Sequence, residues 1–363
     1  MKKNTVTIVM LSMIALLSSC GNDDVEIIKV PASNGAVIDA NVGGEKQPNQ
    51  VYIDLSTDTQ TSVDRSAWDL GFSTGSEFAV VLNESSEVMV RNTNRTAFSE
   101  IIESDTTDFG QRLSFGFIFS QLFSPPPYPS WLSESITWLD DPTGDLSKTA
   151  IGNISANAAE NNVYYVARGK KATGESRGAY FVKVTQDAGK YKVTYKNAAG
   201  GEEKTIEVNK DPEYNFAFFN FDTGIVTAAP KKTLWDISFT VYLATTDAGG
   251  GLFIPYNFMD FVVHNRHEVQ VAQVDVDVTS SNVLADFNAF TLADVGNLTY
   301  SNAINTIGTS WRSLPRTGLA GVKEDKFYVV KDGEGNQYKL LFTGLLNASG
   351  ERGFPQITYE LLK

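Results

Sequence analysis

The sequence predicts a mainly β protein: an antiparallel sheet or sandwich in two related copies, with little helix. Three observations carry that expectation. Apolar and polar residues alternate with period two in segments rich in Val, Ile, Tyr and Phe, as at 51–55, 79–82, 191–195 and 269–278. Turn formers separate such segments, among them Asp187-Ala188-Gly189, Ala199-Gly200-Gly201, Asp332-Gly333-Glu334-Gly335-Asn336 and the run 247–251. Three blocks of the chain also recur in the same order, the signature of a duplicated unit.

The elements follow from the N-terminus. Lys2 and Lys3 form a basic n-region, and residues 5–17 form an apolar stretch. That stretch is shorter than the ~20 residues a membrane-spanning helix needs, so residues 1–19 read as a signal peptide. Leu17-Ser18-Ser19-Cys20 then reads as a lipobox, with Cys20 the lipidated N-terminus. Cys20 is the only cysteine, so acylation leaves no thiol for a disulfide, catalysis or metal binding. Acyl chains anchor by ~0.8 kcal/mol per buried CH₂. Residues 20–50 are expected to be a polar tether. Asp23-Asp24 behind the cysteine resembles the surface-export signal of Bacteroidetes lipoproteins, which implies the outer membrane and its outer face.

The first copy is placed at 51–208. Val51-Tyr52-Ile53-Asp54-Leu55 leads to Ala67-Trp68-Asp69-Leu70-Gly71-Phe72, then to a hairpin candidate running from 78–83 to 87–90. Tyr180-Phe181-Val182 and Tyr191-Lys192-Val193-Thr194-Tyr195 close it. The second copy, at 213–363, repeats the order. Phe218-Phe219-Asn220-Phe221 leads to Leu234-Trp235-Asp236-Ile237-Ser238-Phe239, a hairpin candidate runs from 261–265 to 268–271, and Phe327-Tyr328-Val329 with Tyr338-Lys339-Leu340-Leu341-Phe342 closes it. Asn209-Lys210-Asp211-Pro212 breaks the pattern between them. The first copy carries the insertion Ser124-Pro125-Pro126-Pro127-Tyr128-Pro129, expected as loop because proline lacks an N–H and fixes φ. Short helices are expected near 96–104 and 280–295.

Lipobox, Trp-Asp-x-x-Phe after a strand, an Asn-bearing hairpin and a Phe-x-Val…Gly…Tyr-Lys ending together resemble the HmuY family, surface lipoproteins whose best-known members bind haem. The resemblance implies an all-β fold and non-enzymatic haem capture. It also implies an iron ligand shortly before the final Phe-x-Val strand. Here that stretch reads Ser310-Trp311-Arg312-Ser313-Leu314-Pro315-Arg316, without His or Met, and the corresponding stretch before Tyr180 has none either.

Haem iron takes axial ligands from His, Met, Cys or Tyr. The candidates are therefore His264, His267, Met89 and Met259, besides the tyrosines. His264 and His267 would point to opposite faces of a continuous strand, and two residues so close cannot grip both sides of a macrocycle. Met89 and Met259 sit among apolar residues, where methionine more often fills core. Trp68 and Trp235 read as buried indoles, each asking for one acceptor, with Asp69 and Asp236 capping backbone donors nearby. Trp131, Trp138, Tyr128 and Trp311 either stack on a ligand or plug the ends of a sandwich.

Removing residues 1–19 leaves 28 basic against 43 acidic side chains, a net of −15, which repels nucleic acid. No nucleophile elbow, phosphate loop or dinucleotide fingerprint occurs, so no enzyme is expected. Asp275 and Asp277 alternate with valines as a solvated strand face. Two functions remain: capture of haem, free or from a haemoprotein, for an outer-membrane transporter, or a family module without haem ligation acting in adhesion, polysaccharide binding or assembly.

Overall fold

A computed structural model describes residues 31–315 and 320–363; the signal peptide, Cys20 and the Asp23-Asp24 pair lie outside them. β1 is Gly35–Asp39. The first copy then supplies β2 (Asn49–Asp54), β3 (Thr59–Asp64), β4 (Leu70–Ser73), β5 (Val80–Leu82), β6 (Met89–Asn92), β7 (Val163–Ala167), β8 (Ala179–Asp187), β9 (Lys190–Asn197) and β10 (Lys204–Val208). The second supplies β11 (Phe216–Asn220), β12 (Gly224–Val226), β13 (Ile237–Asp247), β14 (Phe253–His264) and β15 (Gln270–Asp275). It continues with β16 (Arg312–Ser313), β17 (Gly321–Val322), β18 (Lys326–Lys331), β19 (Gln337–Leu346) and β20 (Arg352–Leu361). All pairings are antiparallel, as the alternation requires.

The strands build two sandwiches, and the copies trade a hairpin to do so. One sandwich packs β1-β20-β19-β18-β15 against β14-β13-β2-β3; the other packs β10-β9-β8-β7-β6 against β12-β11-β4-β5. The hairpin β2–β3 of the first copy thus lies on β13 of the second, with Ile53 opposite Ile237 and Val51 opposite Phe239. The hairpin β11–β12 of the second copy lies on β4 of the first, with Phe218 opposite Gly71 and Phe216 opposite Ser73. Val51, Ile53 and Leu55 are buried in the core of the second copy, and Phe219 and Phe221 in that of the first. Gly71 is needed at this seam, since a Cβ there would stand 2.8 Å from Val81 Cγ2.

The repeated Trp-Asp and Asn residues secure the exchanged hairpins. The Asp69 amide donates to Phe219 O, and its carboxylate accepts from the Phe221 amide at 2.9 Å. Asp236 repeats this: its amide donates to Ile53 O and its carboxylate accepts from the Leu55 amide at 2.8 Å. Asn83 Nδ2 donates to Arg65 O and Trp68 O, and Asn265 Nδ2 to Lys232 O and Trp235 O. Each amide thereby ties down the loop before its own Trp-Asp pair.

Several expectations change. Residues 35–39, expected within the tether, form β1 on the edge beside β20, and Ala40 and Val42 are buried behind it. The two hairpin candidates are arches that cross between sheets. β5 pairs with β4 while β6 pairs with β7, and β14 pairs with β13 while β15 pairs with β18. Left-handed Glu87 (φ 64°) and Glu268 (φ 60°) turn the chain at these crossings. Asp277 lies beyond β15, where its carboxylate caps the turn at Thr279 and Ser280.

The insertion 124–129 is loop, as expected, and short helices surround it. α1 (Phe109–Arg112), α2 (Phe115–Ser120) and α3 (Trp131–Glu134) flank the exposed proline loop, and α4 (Val283–Ala289) falls in the second expected helical stretch. Phe109, Ile118, Leu132 and Trp138 pack with Met89 of the first copy and with Leu243 and Ile254 of the second. Among the described residues no helix is long and apolar enough to cross a membrane.

Candidate binding site

The four iron-ligand candidates lie in four different settings. Met89 is fully buried in the apolar cluster under the insertion. Met259 is half-buried beside Asp260 at the irregularity where β14 slips register against β13, and its carbonyl accepts from Arg312 Nη2. His267 borders a small acidic cleft with Asp54, Asp236, Asp332 and Glu334. His264, expected in a solvated turn, is instead 1% exposed at the end of β14.

The His264 ring is held on both sides. Nδ1 lies 3.0 Å from Asn265 O and Nε2 2.8 Å from Ala303 O. Burial pulls its pKa below the ordinary value, and the nearby Arg266 charge adds to this against the two carbonyls. Both nitrogens therefore face backbone oxygens, which stand where a metal would have to bind.

The stretches before the closing strands, where a family ligand is expected, turn inward. Trp311 is 1% exposed, stacked on Phe342 at 4.3 Å, with Nε1 donating to Asp260 O at 3.1 Å. In the first copy Arg168 and Arg177 take this role: both are buried and reach Asp69 at 3.0 and 2.8 Å. An indole thus fills this place in one copy and two guanidinium groups fill it in the other. Trp138 is likewise core, Trp131 stacks between Phe117 and Trp138, and Tyr128 stays exposed on the proline loop.

An open groove of about 660 Å³ is lined by α1 and by β7 and β8. Tyr165 is the only iron-ligand type that lines it, and burial raises its phenol pKa, away from the phenolate that binds iron. These residues do not fit a bis-axial haem.

The residues that do converge line an open-sided cavity of about 120 Å³ between the outer faces of the two exchanged sheets. Trp68 meets Phe218 edge-on at 4.7 Å, and Trp235 meets Tyr52 edge-on at 5.0 Å. Each corner thus joins an indole of one copy to a ring from the hairpin of the other. Val81, Val263 and Ile304 add apolar wall.

Glu84, Asp140, Tyr242, His264 and Arg266 bring polar groups to the same cavity. Burial raises the Asp140 pKa to about 6, and the Leu82 and Ala150 amides, which donate to its carboxylate at 2.7 and 2.8 Å, oppose that rise. Burial, and after it the Asp140 charge, push the Glu84 carboxyl well above the ordinary range. Arg266 lies 4.9 Å over the Phe216 ring. Glu84 and Asp140 stand 56 residues apart and carried no local sequence signal. The repeat of Trp-Asp was the one visible clue, since it put an indole in each copy at matching positions.

The HmuY protein model matches residues 46–206 and again 212–359. No protein of curated function matches the sequence. Among solved structures, a "putative lipoprotein" from Bacteroides fragilis NCTC 9343 is 10% identical over 90% of each chain, with a TM-score of 0.18. An apo HmuY analog from Tannerella forsythia is 17% identical over 51% of this chain and 97% of its own, with a TM-score of 0.17. Apo PinO from Porphyromonas gingivitis is 14% identical over 51% and 96%, also at 0.17. The two matched regions together span most of the sequence and coincide with its internal repeat, and the chain belongs to the HmuY family.

Proposed function

We propose that this protein is a non-enzymatic binding module of the HmuY type that does not hold its ligand through two axial iron bonds. In this reading Cys20 anchors it by lipid to the outer membrane, the Asp23-Asp24 pair directs it to the outer face, and its partners are an extracellular ligand and an outer-membrane transporter. The observation that carries the reading is the scatter of His264, His267, Met89 and Met259 over four separate environments. Haem capture for uptake is what the family implies, and it would need a ligand pair that this arrangement does not assemble. Of the two sequence-based functions, the module without haem ligation is therefore preferred.

The test is a haemin titration of soluble residues 21–363, followed by Soret absorbance in both iron redox states. The expected result is the spectrum of free haemin, with no saturable change. A stoichiometric Soret shift that weakens in His264→Ala, His267→Ala, Met89→Ala or Met259→Ala would overturn the proposal and identify the ligand.

A further inference from the structure

Arg266 stands in the arch between β14 and β15 and lines the cavity between the copies. It is the only Lys or Arg side chain in that lining, and it forms no hydrogen bond or ion pair among the described residues. Burial pulls its pKa down, against the effects of Tyr242, Glu77, Glu84 and Asp140, yet a guanidinium keeps its charge at neutral pH. A charge held away from bulk water without an acceptor is costly, and such groups are as a rule paired. The guanidinium lies 4.9 Å over the Phe216 ring, a contact that supplies no oxygen to its N–H groups. Gly144 makes room beside it, since a Cβ there would stand 3.1 Å from Arg266 Nη2 and 2.8 Å from Ile304.

The acids of the lining have other partners. Asp140 takes the Leu82 and Ala150 amides, Asp141 takes the Thr143 amide at 2.9 Å, and Asp145 pairs with Lys148 at 2.9 Å. The remaining wall is largely apolar, with Val81, Phe218, Val263 and Ile304. The cavity, about 120 Å³ and open on one side, approaches the roughly 150 Å³ of an engineered apolar cavity that admits benzene. An occupant that suits both features has a flat apolar body and one planar anionic head. A carboxylate matches the guanidinium fork with two parallel N–H···O bonds. The nearby acids favour its single charge over the near-double charge of a phosphate.

We infer that the cavity between the copies is a binding site for a small aromatic carboxylate, with its carboxylate on Arg266 and its ring against the apolar wall. The inference rests on the reading of this protein as a binding module and names the ligand class of one site. The site needs both copies, because Arg266 and Phe216 come from the second and Asp140 and Gly144 from the first.

The probes are 4-fluorobenzoate and 4-fluorotoluene, which has a similar ring but no carboxylate. Each is titrated into residues 21–363 and followed by ¹⁹F NMR. The expected result is saturable binding of the benzoate with a Kd of about 1 mM or below, tighter than that of the toluene by about tenfold or more. Arg266→Gln, which removes the charge, should weaken the benzoate about tenfold and leave the toluene unchanged. Arg266→Lys, which keeps the charge but not the fork, should fall between the two. The comparison of the probes on the unaltered protein stands even if a variant does not fold. No saturable binding of the benzoate up to about 10 mM, equal binding of both probes, or undiminished benzoate binding by folded Arg266→Gln would overturn the inference. A saturable haemin spectrum would sink the previous proposal without touching this one, since Arg266 is no iron ligand, and a negative benzoate titration would do the reverse.

Discussion

The same substitution should have opposite effects at the two repeated aspartates. Asp236 is 6% exposed and accepts one amide, that of Leu55, with no Lys or Arg paired to it among the described residues. Burial, opposed by that amide and reinforced by the charges of Asp54, Asp332 and Glu334, raises its pKa to about 7. An unfolded aspartate titrates near 3.9. Because the folded value is the higher one, the carboxyl's contribution to stability is fully present below about pH 3.9 and is lost as pH rises through about 7. Three units at 1.36 kcal/mol each set the loss at about 4 kcal/mol, an upper bound that relaxation around the charge reduces. Asp236→Asn keeps an oxygen for the Leu55 amide and removes the charge. It should stabilise the protein by about 2–4 kcal/mol at pH 8 and by nearly nothing at pH 4, measured by urea unfolding. Asp69 instead lies between Arg168 and Arg177, so Asp69→Asn strands the buried Arg177 guanidinium and leaves Arg168 paired with Asp222 alone. That change should cost about 3–5 kcal/mol at pH 8. A gain from Asp236→Asn that did not vary with pH, or two substitutions of the same sign, would refute the reasoning.

Two further losses of stability follow from the packing. Asn83→Ala and Asn265→Ala each remove both bonds that hold the loop before a Trp-Asp pair, and each should cost about 1–3 kcal/mol in the same urea assay. Trp311→Ala empties the stack on Phe342 and frees the Asp260 carbonyl; it should cost about 3–5 kcal/mol and lower the thermal midpoint accordingly.

Much of the β architecture was legible because alternation is local. Val51, Ile53 and Leu55 declare an inward face whatever strand lies beside them, and the repeated Tyr191 and Tyr338 mark matching strands. Partner choice is not local. β2 shows the same alternation whether it lies on β4 of its own copy or on β13 of the other, so the exchange left no trace in the pattern. The arches at 83–88 and 265–269 read as hairpins for a related reason: a chain reversal does not state which sheet receives the next strand. The helices around the proline loop are only four to six residues long, too short for a helical period to show. His264 looked solvated because one of the two carbonyls that hold its ring, Ala303, lies 39 residues away. The cavity depends on contacts between copies and was not visible for the same reason.

Disulfide trapping of the hairpin exchange tests the account most directly, since both the interlocked copies and the cavity depend on it. Facing residues on adjacent antiparallel strands have Cα atoms about 4.5–5.5 Å apart, within disulfide range. Ser73 and Phe216 face each other across β4 and β11, whereas an unexchanged chain would place Gln50, the repeat counterpart of Phe216, opposite Ser73. In residues 21–363, which hold no native cysteine, Ser73→Cys with Phe216→Cys should oxidise fully, and Gln50→Cys with Ser73→Cys should not. Proteolysis at an engineered cleavage site between Asp211 and Pro212 should then leave the first pair's halves joined on a non-reducing denaturing gel. Crosslinking of Gln50→Cys with Ser73→Cys, and none of Ser73→Cys with Phe216→Cys, would contradict the account.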